Sequence, residues 1–325
     1  MRMRELAKLC NVSVSTVSKA FSGAQDVSAE TRDLIFSVAR ENGCYGRFSK
    51  QKYDKKAVAL ICPELDSDYY TGYVIRLQKL IEKNGGIAIV CSYNFDFARQ
   101  EELVEYCASY LNADGIIVFN LKNPLKKGYD LPIVNLFSHV KGDLDQIAVD
   151  FSVSSEEAVK ALYEKGHRRF FFIGEALTVG RCQLFKTAAS ALPGTEFASF
   201  NSPSNRFESA GKEGVEQMLE KMPHATAIIC AYDNIAFGAV KELKRRGYSV
   251  PRDFSVVGGD NISMCQYMDS PLSSVDTSPD EICDLAWELL EKRLKNNLLR
   301  GTKSVTINGR FIMRESVGTA RDDRN

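Results

Sequence analysis

The sequence predicts a small all-α head of three helices, followed by an α/β body of two lobes built on parallel sheets. Three observations predict it. Residues 4–45 carry apolar positions at helical spacing, punctuated by capping residues. From Ala57 onward, continuous apolar runs alternate with amphipathic segments. That alternation restarts near Ser154, giving two βαβ series in succession.

In the head, RELAKLC places Leu6, Ala7 and Leu9 on one stripe. Asn11 stands in the next turn, as a residue that tolerates positive φ. Ser13 caps a second helix with apolar positions Val14, Val17, Ala20 and Phe21. Ser28 caps a third, with Glu30 in its first turn and Leu34, Ile35, Val38 and Ala39 as its core stripe. Asn42-Gly43 ends that helix. YGRFSKQKYDKK (45–56) has five basic residues and no clean apolar period, and reads as a linker.

In the body, AVALIC, IAIVCS and GIIVF read as strands buried on both faces. YVIRLQKLIEKNG and EELVEYCASYL are the helices between them, and PIVNLF and QIAVD follow. The second series runs SSEEAVKALYEKG, FFFIG, a helix near Arg181–Ala191, TEFASF, SAGKEGVEQMLEKM, AIICAY, a helix over Asn234–Gly247, and FSVVGGD. Two such series imply two lobes with a cleft between them. A late helix, SPDEICDLAWELLEKRLKN, and a hairpin around Asn308-Gly309 close the chain.

Composition narrows the function classes. The chain has 325 residues, enough for two or three domains, and zero net charge. The charge is uneven: residues 1–56 hold 11 lysines and arginines against 6 acidic residues, a net of +5, so the rest carries −5. A basic head on an acidic body points to an anionic partner for the head. No apolar run approaches the roughly 18–20 residues of a membrane helix. The start, MRMRELAKLC, turns polar too soon for the core of a secretory signal. Nine cysteines, with no CxxC pair and several inside apolar runs, suit a reducing compartment better than a disulfide framework or a metal site. The expected location is cytoplasmic, away from membranes, with no cofactor and no metal. Catalysis has no footing: no GxGxxG opens the first βα unit, no GxxxxGK[ST] or GxSxG is present, and His139, His167 and His224 are scattered.

The stretch NVSVSTVSKAF (11–21) carries the chemistry of the head. Ala7 is small enough for a helix crossing, Asn11 suits the turn, and Val17 is the buried anchor. The hydroxyls of Ser13, Ser15, Thr16 and Ser18 reach phosphates, and Lys19 reaches a phosphate or a guanine edge. RELAKLCNVSVSTVSKAFSGAQDVSAETRDLIFSVARENG, with its VSxSTVSxA core and VSxETR run, resembles the N-terminal module of the LacI/GalR family of bacterial transcriptional regulators. ALICPELDSDYY, EKGHRRFFFIG, AIICAYDNIAFGAVKELKRRGYSVPRDFSVVGGDNI, SPLSSVDTSPDEICDLAWELL and FIMRESVG extend the resemblance, in order, over nearly the whole chain.

The resemblance implies a helix-turn-helix domain at 1–45, a hinge at 46–56 and a periplasmic-binding-protein-like effector domain at 57–318, with a tail at 319–325. The N-lobe would span about 57–147 and 277–301, and the C-lobe about 148–276 and 302–318. It implies a repressor that binds a palindromic operator as a homodimer, with a small molecule, a sugar above all, held between the lobes. Val14, Ser15 and Lys19 would face base edges, with Val14 either meeting a thymine methyl or packing in the core. Ser13, Thr16, Ser18 and Ser22 would touch phosphate. The hinge departs from the family: Gly46 stands where a proline is usual, and Tyr53 falls at the place of the leucine that wedges into the minor groove; either Tyr53 or Phe48 wedges instead, or the hinge stays disordered with its lysines holding phosphates. Tyr69, Tyr70, Arg181, Asp233 and Asp260 fall at effector positions, a set that suits a polyol. Phe137-Ser138 stands where the family often has an Asp-Arg pair, and Arg206 and Phe207 lie near an expected aromatic. A constitutive repressor without an effector is the alternative, and a secreted solute-binding protein or an enzyme fits less well.

Overall fold

The structure is a computed structural model that describes residues 2–48, 55–111, 113–126, 128–129, 131–142, 144–295 and 301–321. Its helices are α1 (Met3–Leu9), α2 (Val14–Phe21), α3 (Ala29–Glu41), α4 (Tyr45–Phe48), α5 (Asp68–Lys83), α6 (Phe97–Ser109), α7 (Ser152–Glu164), α8 (Val179–Ser190), α9 (Phe207–Lys221), α10 (Asp233–Arg245) and α11 (Pro279–Lys295). Its strands are β1 (Ala57–Cys62), β2 (Ile87–Ser92), β3 (Gly115–Phe119), β4 (Ile133–Leu136), β5 (Asp145–Asp150), β6 (Arg169–Glu175), β7 (Glu196–Ser202), β8 (Ala227–Cys230), β9 (Ser255–Val257), β10 (Ser274–Asp276), β11 (Ser304–Asn308) and β12 (Arg310–Ile312).

Local signals set the head. Asn11 takes φ 51°, turning the chain between α1 and α2. Ser13 Oγ accepts from the Thr16 amide at 3.0 Å and Ser28 Oγ from the Thr31 amide at 3.2 Å, capping α2 and α3. Gly43 leaves α3 at φ 63°, so that the Cys44 amide donates to Ala39 O at 2.8 Å. The core is Leu6, Ala7, Cys10, Val17, Ala20, Phe21, Val27, Ile35, Ala39 and Cys44.

Two stripe positions are corrected. Leu9 and Leu34 are exposed, at 57% and 49%. In α1 the buried line runs Leu6 to Cys10, the i,i+4 spacing, which rotates Leu9 outward; in α3 it centres on Ile35 and Ala39. The expected linker also starts too early. The short helix α4 follows α3, and Phe48 packs 5.7 Å from Phe21, in a cluster that includes Phe36 and Tyr45. Phe48 is thus part of the head's own packing rather than a free wedge. Tyr53 lies outside the described residues.

The chain divides into two compact units, residues 1–148 with 280–305, and 149–279 with 306–325. The sheet of the first has the order β11–β5–β4–β3–β1–β2, with β1, β2, β3, β4 and β5 joined by parallel pairings. Every residue of β3 is buried, and β1 is buried from Val58 on, as parallel strands covered on both faces require. At the edge, β2 leaves Val90 exposed.

The second unit holds the parallel sheet β7–β6–β8–β9. Its central strand buries Phe170, Phe171 and Phe172 in succession. On this sheet α9 and α10 meet backbone to backbone. A Cβ on Gly211 would stand 2.0 Å from Ile235 O, and one on Gly238 2.0 Å from Glu208 O, so both positions require glycine. The expected hairpin at Asn308-Gly309 does not form: β11 joins the six-stranded sheet, while β12 pairs antiparallel with β10. Gly309 is there for close approach. Its amide donates to Asp150 O at 2.8 Å, and a Cβ would lie 2.9 Å from Ser154 Oγ.

His167 joins the strand starts of the second unit to the chain's end. Its ring, 1% exposed, bonds Thr226 Oγ1 at 2.9 Å, Ser255 Oγ at 2.8 Å and Gly318 O at 3.2 Å. Burial pushes its pKa down from 6.5 to about 4. The folded chain keeps the ring neutral in a range where the unfolded chain takes up a proton. Stability should therefore fall as pH drops from about 6.5 toward 4, by about 2–3 kcal/mol at the lower end. Denaturant unfolding at stepped pH should show that loss, and a flatter profile in His167→Asn.

Candidate nucleic-acid interface and ligand rim

The α2 helix buries Val17, Ala20 and Phe21 and turns Val14, Ser15, Ser18 and Lys19 outward on one face. Ser22 follows on the same side, exposed, its hydroxyl donating to Lys19 O at 3.1 Å. Val14 is 40% exposed, so the core alternative for it is not realised. At the helix start Ser13 Oγ lies 2.6 Å from Ser15 Oγ and 2.8 Å from Thr16 Oγ1, with Thr16 half-buried. Three hydroxyls converge there beside the amides of a helix N-terminus, a donor-rich point suited to phosphate. Lys19 pairs with Asp26, a residue that sequence reasoning passed over. Its ammonium holds the Asp26 carboxyl below the usual carboxylate range.

In the second unit, functional side chains gather where β6, β8 and β9 end. Arg181, in the first turn of α8, donates through Nη1 to Ala231 O at 2.5 Å and to Asp260 Oδ1 at 3.0 Å. Its guanidinium carbon stands 4.3 Å over the Phe151 ring. Asp260 and Asn261 both take left-handed φ, 105° and 51°. Two glycines permit this turn: a Cβ on Gly258 would meet Asp233 Oδ1 at 2.3 Å, and one on Gly259 would meet Ala231 O at 2.8 Å. Burial pushes the Asp260 carboxyl up to about 7, against the opposing pull of Arg181. Phe151, Ser155, Phe185 and Val275 line a small pocket beside Arg181. Arg181 and Asp260, both expected at effector positions, thus form one ion pair.

Asp233 is placed differently from a ligand contact. It is 1% exposed, and its carboxylate accepts from Ser274 Oγ at 2.6 Å and from the Ile262 amide at 2.9 Å. Burial raises its pKa to about 6. It fixes the loop that carries Asp260 from behind. Sequence reasoning missed Phe151, whose only local signal is an aromatic immediately after the apolar run QIAVD.

In the first unit, Tyr69 and Tyr70 open α5, half-buried, with ring centroids 5.1 Å apart. Tyr69 lies 5.6 Å from Phe137, and Asn120 Nδ2 donates to the Tyr70 hydroxyl at 3.0 Å. Phe95, Asn120 and Phe137 all follow strand ends and all take positive φ, 58°, 55° and 69°. Bulky residues rarely do so, and such strain gathers at binding sites. Ser138 donates to Leu121 O at 2.8 Å, so Phe137-Ser138 is built into this wall.

A three-helix DNA-reading head joined to a two-unit body with functional groups at parallel strand ends defines a two-module regulator. Residues 2–44 match the model for bacterial regulatory proteins, lacI family, and residues 159–317 match the periplasmic binding protein-like domain. The ribose operon repressor of Haemophilus influenzae is 24% identical over 328 residues, spanning 97% of this chain and 98% of that protein. The HTH-type transcriptional repressor CytR of Escherichia coli is also 24% identical, spanning 97% of this chain and 95% of its own length. A LacI family transcriptional regulator from Enterococcus faecalis V583, solved with bound ribose, superposes with a TM-score of 0.69 at 20% identity, over 82% of this chain and 100% of that one. The chain thus carries a lacI-family regulatory domain at its head and a periplasmic binding protein-like domain in its body.

Asp233→Ala should leave the Ile262 amide and the Ser274 hydroxyl unpaired in the interior. The expected loss is about 2–4 kcal/mol in urea unfolding, with α2 and the head unaffected.

Proposed function

We propose that the protein is a ligand-responsive, DNA-binding repressor that recognises an inverted-repeat operator as a homodimer. The observation that carries this reading is the α2 face, where Val14, Ser15, Ser18 and Lys19 stand outward above a buried Val17. Val14 suits a thymine methyl, Ser15 permits several bases and Lys19 supplies the strongest polar contact. Ser13, Thr16, Ser18 and Ser22 supply phosphate contacts that fix the helix in the groove. Tyr53 is proposed to reach the minor groove from the hinge.

The effector is a small polyhydroxylated molecule, a sugar or related metabolite. Arg181 and Asp260 hold its hydroxyls, and Tyr69 and Tyr70 present aromatic faces to its C–H groups. Ribose in the Enterococcus neighbour supports this class. Asp233 acts by holding the Asp260 loop in place. The ligand changes DNA affinity through its differential affinity for two conformations of the chain.

Exposed apolar side chains support self-association: Tyr267 is 80% and Met264 55% exposed in the second unit, and Ile75 is 46% exposed on α5. Among the described residues no helix is long and apolar enough to cross a membrane. Free cysteines throughout suit the reducing cytoplasm. The named relatives are repressors, which supports a non-enzymatic role.

Selection from random duplexes should enrich an inverted repeat; sequence-blind binding alone would count against the reading. Lys19→Ala should weaken binding to the selected site by about 10–100-fold. Asp26→Asn, which frees Lys19, should strengthen binding about 2–5-fold at low salt and steepen the salt dependence. Both are read by fluorescence anisotropy over a salt series.

A further inference from the structure

A second charged pair sits at the strand-end rim of the second unit, apart from Arg181 and Asp260. Glu175 ends β6 and is 2% exposed. Arg206, immediately before α9, donates through Nε to Glu175 Oε2 at 2.9 Å, and its side chain remains 34% exposed. The Tyr232 hydroxyl lies near Glu175 and accepts from the Phe207 amide at 3.2 Å. The Arg206 guanidinium lies 4.6 Å over the Phe207 ring, and Phe207 itself takes φ 53°. Three residues, from the starts of α9 and α10, therefore pack around one buried carboxylate.

A carboxylate this deep persists only because it is paired and hydrogen-bonded. The pairing has a consequence on the solvent side. Arg206 offers N–H donors, but its charge is already balanced from behind. Arg181 is likewise paired with a carboxyl, that of Asp260, at 3.0 Å. A hydroxyl arriving at this rim finds donors and acceptors. A phosphate or carboxylate finds balanced cations with carboxylates close behind them, an arrangement that disfavours it.

We propose that Glu175 is a specificity-determining residue: by neutralising Arg206 it restricts the rim to uncharged, hydroxyl-bearing ligands and rejects their phosphorylated counterparts. This rests on the reading of the rim as a ligand site, given under Proposed function.

The test uses the full-length protein and matched probes: ribose against ribose 5-phosphate, glucose against glucose 6-phosphate, and cytidine against cytidine 5′-monophosphate. Calorimetric titration should give at least about tenfold tighter binding for the neutral member of any pair that binds. Glu175→Gln, which keeps an acceptor for Tyr232 but frees the Arg206 charge, should shrink that ratio at least about fivefold. Inorganic phosphate, as a bare anion, should raise the melting temperature of Glu175→Gln and not that of the wild type. The gain should vanish in Glu175→Gln/Arg206→Gln. A phosphorylated probe that binds the wild type more tightly overturns the proposal. So does a Glu175→Gln protein, folded by circular dichroism, whose ratio and phosphate response are unchanged. If Glu175→Gln does not fold, the wild-type ratio decides. If no probe binds while the protein still selects an operator, the ligand reading fails and this proposal with it, but the DNA-binding reading stands.

Discussion

A parallel sheet covered on both faces leaves its central strands little room for polar side chains, and much of this molecule follows from that constraint. The strands β1, β3, β6 and β8 are buried almost end to end. Polar groups gather where strands stop: Asn120, Ser138, Glu175, Asp233 and Asp260 follow or end β3, β4, β6, β8 and β9. The same constraint crowds the turns there, since each must leave a fixed strand end and enter a packed helix within a few residues. Phe95, Phe137, Phe207 and Asp260 accept left-handed backbone at those places, a strain that the surrounding packing over-determines.

The head solves a different problem with different means. It is too small to hold three helices by apolar area alone, so it draws on turn and cap chemistry. Asn11, Ser13, Ser28 and Gly43 each set a backbone direction, and the aromatic group of Phe21, Phe36, Tyr45 and Phe48 fills the remaining space. Because the caps leave α2's outer face free of packing duties, that face carries only chemistry. On that face Lys19 pairs with Asp26.

Local signals made much of this legible in the sequence. The head's turns, the buried strands and the helices between them each announce themselves within a window of about ten residues. Misreadings arose where the deciding partner was distant or the helix too short to fix its phase. Seven residues of α1 do not distinguish Leu9 from Cys10 as the inner position. Asn308-Gly309 carries the local signature of a hairpin, but the two strands it joins belong to different sheets. Glu175 and Arg206 are 31 residues apart on separate elements, and nothing in either neighbourhood announces the other. Asp233 sat at a family position, yet only the structure assigns its oxygens to Ser274 and Ile262.

The close approach of α9 and α10 at Gly211 and Gly238 bears on how recognition is organised. With α9 and α10 in backbone contact, no side chain can rotate between them and no layer of methyl groups can yield. Arg206 and Phe207 at the head of α9, and Tyr232 and Asp233 at the head of α10, therefore ride on one inflexible block. A ligand meeting that block has little disorder to quench, so the entropy that usually opposes binding has already been removed during folding. Any yielding of these loops must then come from their own backbone turns rather than from the packing between α9 and α10.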